Sequence, residues 1–128
     1  MENLKTEATD RLPEIDFDFQ NLVFRIRGES YPEDVTAFYG PILEKFGTCL
    51  EGTAGKAVEF NFELIYFNSS SAKVILGIFD QLDEAASAGS DVTINWYYDA
   101  EDDTMEELGQ EFGEDLESAK FNMKVIGD

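Results

Sequence analysis

At 128 residues the chain has the length of one domain, and 43% hydrophobic residues, among them 11 Phe, 5 Tyr and 1 Trp, offset chain entropy well enough to place its acidity on a folded surface. Nine Lys and Arg against 28 Asp and Glu leave a net charge of −19, which excludes nucleic acid and anionic membrane as natural partners because both demand a cationic footprint. With no histidine and a single cysteine, Cys49, the chain has no means of building His-dependent nucleophilic sites, His-type zinc sites, internal disulfides or thiolate clusters. The polar start MENLKTEATD and the lack of any apolar run near ~18 residues read as a cytoplasmic protein without signal peptide or membrane span. No linker or repeat divides residues 1–128, which are expected to form one domain.

Leu22, Phe24 and Ile26 alternate with Val23, Arg25 and Arg27, the pattern of a strand with one polar face. Pro32 is expected to open a helix whose apolar positions are Val35, Phe38, Tyr39, Ile42, Leu43, Phe46 and Leu50, and Pro41 to kink or split it. In the next strand Val58, Phe60, Phe62, Leu64 and Tyr66 point inward, Glu59, Asn61 and Glu63 point outward, and Ile65 and Phe67 make its end apolar on both faces. After Asn68 to Lys73 comes a helix carrying Val74, Ile75, Ile78, Phe79, Leu82 and Ala85, with Gly89 at its end. Val92, Ile94, Trp96 and Tyr98 form a further strand. The acidic stretch Asp99 to Asp103 leads into a helix with Met105, Leu108, Phe112 and Leu116 on one face, and Phe121, Met123 and Val125 close the chain as a last strand. The one-sided strands predict an α+β domain, a mixed sheet of about four to five strands with helices packed mainly on one face.

Two clusters invite chemistry. Asn68-Ser69-Ser70-Ser71 stands between a buried strand and a helix start, where Ser and Asn oxygens accept unpaired N–H groups as caps. A phosphate on one of these serines would meet the same N–H donors and the positive end of the helix dipole, so capping and phosphorylation both fit the local sequence. The second cluster, Asp99, Glu101, Asp102, Asp103, Glu106 and Glu107, lacks EF-hand spacing, because the twelfth position counted from Asp99 is Gln110. Carboxylates in a first helical turn are favourable without a metal. Between Lys73 and Lys120 there are 14 Asp and Glu and no Lys or Arg, which makes one side of the molecule strongly anionic and suited to a basic partner. Glu59/Glu63 and Asp80/Asp83/Glu84 read as ordinary outward carboxylates, the scattered glycines form no phosphate loop, and Gly109 and Gly113 are spaced for close packing. No catalytic residue, metal set or cofactor site is assigned.

Read together, several stretches resemble the SiaC family of bacterial regulatory phosphoproteins over nearly the whole chain. They are Leu4-Lys5 to Thr9 with Pro13-Glu14-Ile15-Asp16-Phe17; Gly28-Glu29-Ser30-Tyr31-Pro32-Glu33 with Phe38, Pro41 and Leu43; Tyr66-Phe67-Asn68-Ser69-Ser70-Ser71-Ala72-Lys73; and Trp96-Tyr97-Tyr98-Asp99 running into Asp102-Asp103, Met105-Glu106 and Gly109-Gln110-Glu111-Phe112. Leu12-Pro13 stands where the family often has Thr-Pro, and Ser69 where its acceptor can be threonine. The resemblance implies a fold similar to anti-sigma-factor antagonist (STAS-like) domains, with Ser69 as the phosphoacceptor. It further implies a partner-switching cycle in which a serine/threonine kinase of histidine-kinase-like ATPase fold modifies Ser69 and a metal-dependent serine/threonine phosphatase reverses it. In that cycle the dephosphorylated form binds and activates a diguanylate cyclase. Asn68, Ser69, Ser70, Ser71, Lys73, Asp99, Asp102 and Asp103 are then the expected partner-binding residues. Two rival readings are an acidic inhibitor or nucleic-acid mimic and a Mg²⁺-dependent hydrolase using Asp99, Asp102 and Asp103.

Overall fold

The computed structural model describes residues 2–126. In chain order the elements are β1 (Leu4–Thr6), β2 (Glu14–Asp18), β3 (Val23–Ser30), α1 (Val35–Leu50), β4 (Ala57–Phe67), α2 (Ser69–Ser87), β5 (Asp91–Asp99), α3 (Asp103–Glu114) and β6 (Lys120–Ile126). The strands lie in the sheet in that same order, with β1, β2 and β3 antiparallel and β3 to β6 parallel. Parallel neighbours joined through a helix almost always cross over with one hand. Three such crossovers made in the same direction, as the strand order requires, put α1, α2 and α3 on one face. The α+β class and the one-sided helices therefore hold, and the sheet has six strands instead of four or five. The additions are β1 and β2, whose Ile15 and Phe17 are fully buried.

The core lies between that face and the helices. Phe24, Phe46, Phe17 and Phe60 meet with ring centroids 5.0–5.8 Å apart, and Phe62 continues the cluster onto Phe79 and Trp96. The opposite face is bare of helices and polar. Across it, in one register row, Asn122 Nδ2 donates to Asn95 Oδ1 (3.1 Å), Asn95 Nδ2 to Asn61 Oδ1 (2.9 Å), and Asn61 Nδ2 to Glu59 Oε2 (2.9 Å). Asn61 points outward as expected, yet it is buried, because this chain of amides is closed over by its neighbours.

Four local expectations change. Pro32 does not open α1: the helix begins at Val35, with Asp34 Oδ1 accepting from Ala37 N at 3.0 Å, and Pro32 sits buried in the extended lead-in. Pro41 does not split the helix, because Tyr39, Ile42 and Phe46 anchor it to the core on both sides of the missing N–H. Tyr66 is not inward. The β3–β4 register slips between Gly28 and Glu29, so that Gly28 pairs with Leu64 but Glu29 with Tyr66, and Ile65 becomes the extra residue of a bulge. Gly28, at φ +110°, makes the matching turn on β3. Beyond the bulge the alternation inverts: Ile65 and Tyr66 are exposed at 67% and 50%, and Phe67 packs inward on Trp96.

Asp83 is also no ordinary outward carboxylate. It accepts from the backbone N–H groups of Glu117, Ser118 and Ala119 at 2.7–3.2 Å and so moors the α3–β6 loop to α2. Partial burial pushes its pKa up, and the three N–H donors outweigh that and hold it below the usual carboxylate value.

Candidate functional site

The loops that follow β3, β4 and β5 all emerge at one end of the sheet, the carboxyl ends of its parallel strands, where crevices of open α/β sheets form. At the β4–α2 junction Asn68 is the cap. Its backbone is extended (φ −86°, ψ 174°), its Oδ1 accepts from Ser71 N at 2.9 Å, and its carbonyl accepts from Ala72 N at 2.9 Å. Ser69, Ser70 and Ser71 are therefore the first three helical residues, and the capping role that the segment's Ser and Asn oxygens could share belongs to Asn68 alone. Among the described residues the N–H groups of Ser69 and Ser70 have no protein acceptor, as befits the first turn of a helix.

The three serines point to different surroundings. Ser71 is fully buried, and its Oγ accepts from Ser30 Oγ at 2.9 Å. Since the Ser30 proton is committed there, the Tyr39 hydroxyl donates to Ser30 Oγ at 2.5 Å. Ser70 is exposed and lines a shallow groove with Val35 and Leu43 of α1. Ser69 is exposed and shares a helix face with Lys73 and, two turns on, Leu76, itself 42% exposed. No carboxylate stands in the first turn, which is unusual in a chain of net charge −19. Ile65 and Tyr66 lie just before Asn68, and the Tyr66 ring meets Tyr31 edge-on at 5.5 Å. The alternation alone does not mark these two as surface residues, and their one sign in the sequence is the pair of apolar faces at the strand's end.

Burial drives the Tyr39 phenol up to about 12. The neutral form is thus favoured by folding. Below pH 10 folded and unfolded chains alike keep the proton, and between pH 10 and about 12 only the unfolded chain loses it, so stability falls across that window. A shift of this size corresponds to about 2–3 kcal/mol. Urea midpoints measured from pH 9 to 12 are expected to drop steeply in the wild type, and Tyr39→Phe is expected to remove this share of the drop.

The acidic stretch has its own structural occupation. Asp99 Oδ1 accepts from Glu101 N at 2.9 Å, Asp102 Oδ1 caps α3 through Met105 N at 3.0 Å, and Asp103 is exposed as the first residue of α3. Among the described residues no group of three or more Asp, Glu, His or Cys side chains converges as metal ligands would, so the hydrolase reading finds no ligand set there. The β4–β5 ladder stops at Phe62–Trp96 although both strands run on, and a cleft of ≈ 690 Å³ at this end is lined by Arg27, Glu63, Ile65, Asp99 and Asp102 among others. Asp99 and Asp102 thus flank the end of β4. No hydrogen bond among the described residues joins them to Ser69, Ser70 or Ser71. Among the described residues no helix is long and apolar enough to cross a membrane.

Comparison with known proteins follows the same outline. The model of the SiaC family regulatory phosphoprotein matches residues 6–126. An uncharacterized protein of Pseudomonas aeruginosa (strain UCBPP-PA14) is 32% identical over 115 residues, 90% of either chain. The crystal structure of apo-SiaC from Pseudomonas aeruginosa superimposes with a TM-score of 0.89 at 31% identity, over 98% of this chain and 100% of that one. A chain from the crystal structure of the diguanylate cyclase SiaD in complex with its activator SiaC, from the same organism, superimposes with a TM-score of 0.88 at 31% identity, over 95% of this chain and 98% of that one. With a family model that matches residues 6–126 and a fold that superimposes on apo-SiaC with a TM-score of 0.89, this chain belongs to the SiaC family of regulatory phosphoproteins.

Proposed function

We propose that this protein is a phosphorylation-controlled activator of a diguanylate cyclase, with Ser69 as the acceptor and the unphosphorylated α2 start as part of the cyclase-binding surface. The observation that carries the proposal is the Ser69 hydroxyl, exposed on the first residue of α2 beside backbone N–H groups without protein acceptors. The crystal structure of SiaD with its activator SiaC supports the choice of partner, since the SiaC of that complex shares this fold throughout. Ser71 is a poor acceptor because its hydroxyl is buried and bonded, and Ser70 faces the groove toward α1.

In the transfer, Ser69 Oγ forms a bond to the γ-phosphorus of ATP, the bond to the ADP oxygen breaks, and the hydroxyl proton passes to a base of the kinase. The phosphatase returns Ser69 by hydrolysis. The phosphate adds about −1.5 to −2 charge, little against −19, so its action is local. It charges and hydrates a surface that Ile65, Tyr66 and Leu76 otherwise make partly apolar, which removes the gain from burying them against a partner. Asn68 and Lys73 belong to this surface by position, and Asp99, Asp102 and Asp103 form its acidic flank at the same end of the sheet.

Wild type and the Ser69→Ala, Ser70→Ala and Ser71→Ala variants, each incubated with the cognate kinase and ATP, are expected to show a one-phosphate mass gain in all but Ser69→Ala. That variant is expected to bind the cyclase whether or not kinase is present. Ser69→Asp, with less charge than a phosphate, is expected to weaken binding only in part. Phosphate uptake by Ser69→Ala together with none by Ser70→Ala would move the acceptor to Ser70 and overturn the assignment.

A further inference from the structure

Two stretches that stand out separately in the sequence, Gly28 to Glu33 and Asn68 to Lys73, meet at one residue. Ser30, fully buried at the end of β3, makes three bonds there. Its carbonyl accepts from Asn68 N at 3.1 Å, its Oγ donates to Ser71 Oγ at 2.9 Å across 41 residues of chain, and its Oγ accepts from the Tyr39 hydroxyl of α1. Asn68 and Ser71 bracket Ser69. The side chain of Ser69 makes no hydrogen bond among the described residues, so its direction is set by the backbone on either side of it, and that backbone is held from Ser30. Ser30 itself is held by the β3–β4 ladder, in which it pairs with Phe67.

We infer that Ser30 is the positioning residue for phosphoryl transfer to this protein: it fixes the first turn of α2 from both sides of Ser69 and so aims the acceptor hydroxyl at the kinase-bound ATP. The inference rests on the reading of Ser69 as acceptor. In-line transfer needs the attacking oxygen within about 3–3.5 Å of phosphorus and aligned with the leaving oxygen, and a misplacement near 1 Å costs on the order of a hundredfold in rate. Ser30 lies beneath the surface and offers a kinase nothing to touch. Its loss is therefore expected in the turnover of the bound complex, whereas loss of Tyr66 or Lys73, which are exposed, belongs to binding. The same bond explains why a run of three serines does not present three equivalent acceptors, since it takes the Ser71 hydroxyl out of reach.

The test uses the full chain and its cognate kinase with ATP, on Ser30→Ala, Ser71→Ala, the double variant and Tyr39→Phe. For Ser30→Ala, kcat for phosphate uptake is expected to fall about tenfold or more while KM stays within about twofold. Amide hydrogen exchange at Ser71 and Ala72, whose N–H groups are bonded to Asn68, is expected to quicken about fivefold to tenfold, the equivalent of one buried hydrogen bond. The double variant is expected to be no slower than Ser30→Ala, because both substitutions break the same side-chain bond. Tyr39→Phe keeps that bond and is expected to lower kcat less than Ser30→Ala does. Wild-type kcat and wild-type exchange in Ser30→Ala, or a rise in KM with kcat unchanged, would overturn the positioning role. Uptake that survives in Ser69→Ala would instead bring down the acceptor assignment and this inference with it, so the two failures are told apart.

Discussion

Phe62→Ala is expected to destabilise the protein by about 3–5 kcal/mol, the range for deleting a large aromatic from a core that does not collapse around the void. Phe62 has no exposed surface and stands at the middle of β4, the strand that delivers Ser69. Its ring stacks on Phe60 at 4.5 Å and meets Phe79 of α2 at 5.1 Å and Trp96 of β5 at 5.6 Å. Its neighbours on either side in the sheet are Ile26 and Trp96, both also buried. Most of these atoms belong to strands locked in register, so the cavity stays open. Urea unfolding checks the figure, and a loss below about 1 kcal/mol would mean that Phe62 is not a keystone of the core.

Gly109→Ala is expected to cost about 2–3 kcal/mol or more, against the gain of roughly 1 kcal/mol that Ala normally brings to a helix interior. Gly109 is buried on α3 where the helix presses on the sheet. A Cβ there would stand 2.4 Å from Trp96 Cδ1, 2.6 Å from Trp96 Nε1 and 2.9 Å from Met123 Sδ. The indole has no room to retreat, being 1% exposed and tied through its N–H to the Met105 carbonyl at 3.0 Å. Gly113→Ala makes the instructive contrast. Its Cβ would meet the Phe121 ring at 2.5 Å, but Phe121 is half-buried on the edge strand β6 and is free to swing outward, so the expected loss is smaller. Thermal melts of the two variants give the order, and an unchanged melting temperature in Gly109→Ala would show that α3 stands off the sheet.

What the sequence made legible depended on how local its cause was. Alternation in Phe24–Ile26 and Val92–Trp96, and the helical spacing of Ile75, Ile78, Phe79 and Leu82, are local signals, and each residue is buried as they predict. Ile15 and Phe17 alternate just as clearly, but three acidic residues, Glu14, Asp16 and Asp18, and Pro13 surround them and mask the strand they form. The inversion at Ile65 had no local sign beyond an apolar residue on each face, because a bulge is a relation between two strands and only the partner, Gly28, reveals it. The same holds at the candidate site. The strand-to-helix junction was readable from local sequence and Ser69 only through the family resemblance, whereas the separation of Ser71 from Ser69 and Ser70 comes from Ser30 and Tyr39, which stand 41 and 32 positions earlier than Ser71 in the chain.

The order of strands in the sheet is the order of strands in the chain, with no later strand inserted between two earlier ones. A chain emerging from the ribosome can therefore add each β-α unit to a finished edge, and never has to hold two strands apart for a third to come between them. Its ladder pairs are all between successive strands, which keeps loop closure short for a largely parallel sheet. Growth takes place on one edge only, while β1 stays the other edge of the sheet throughout. Among the described residues the last strand added is β6, whose Lys120 and Lys124 supply the charge that discourages another strand from docking on that edge.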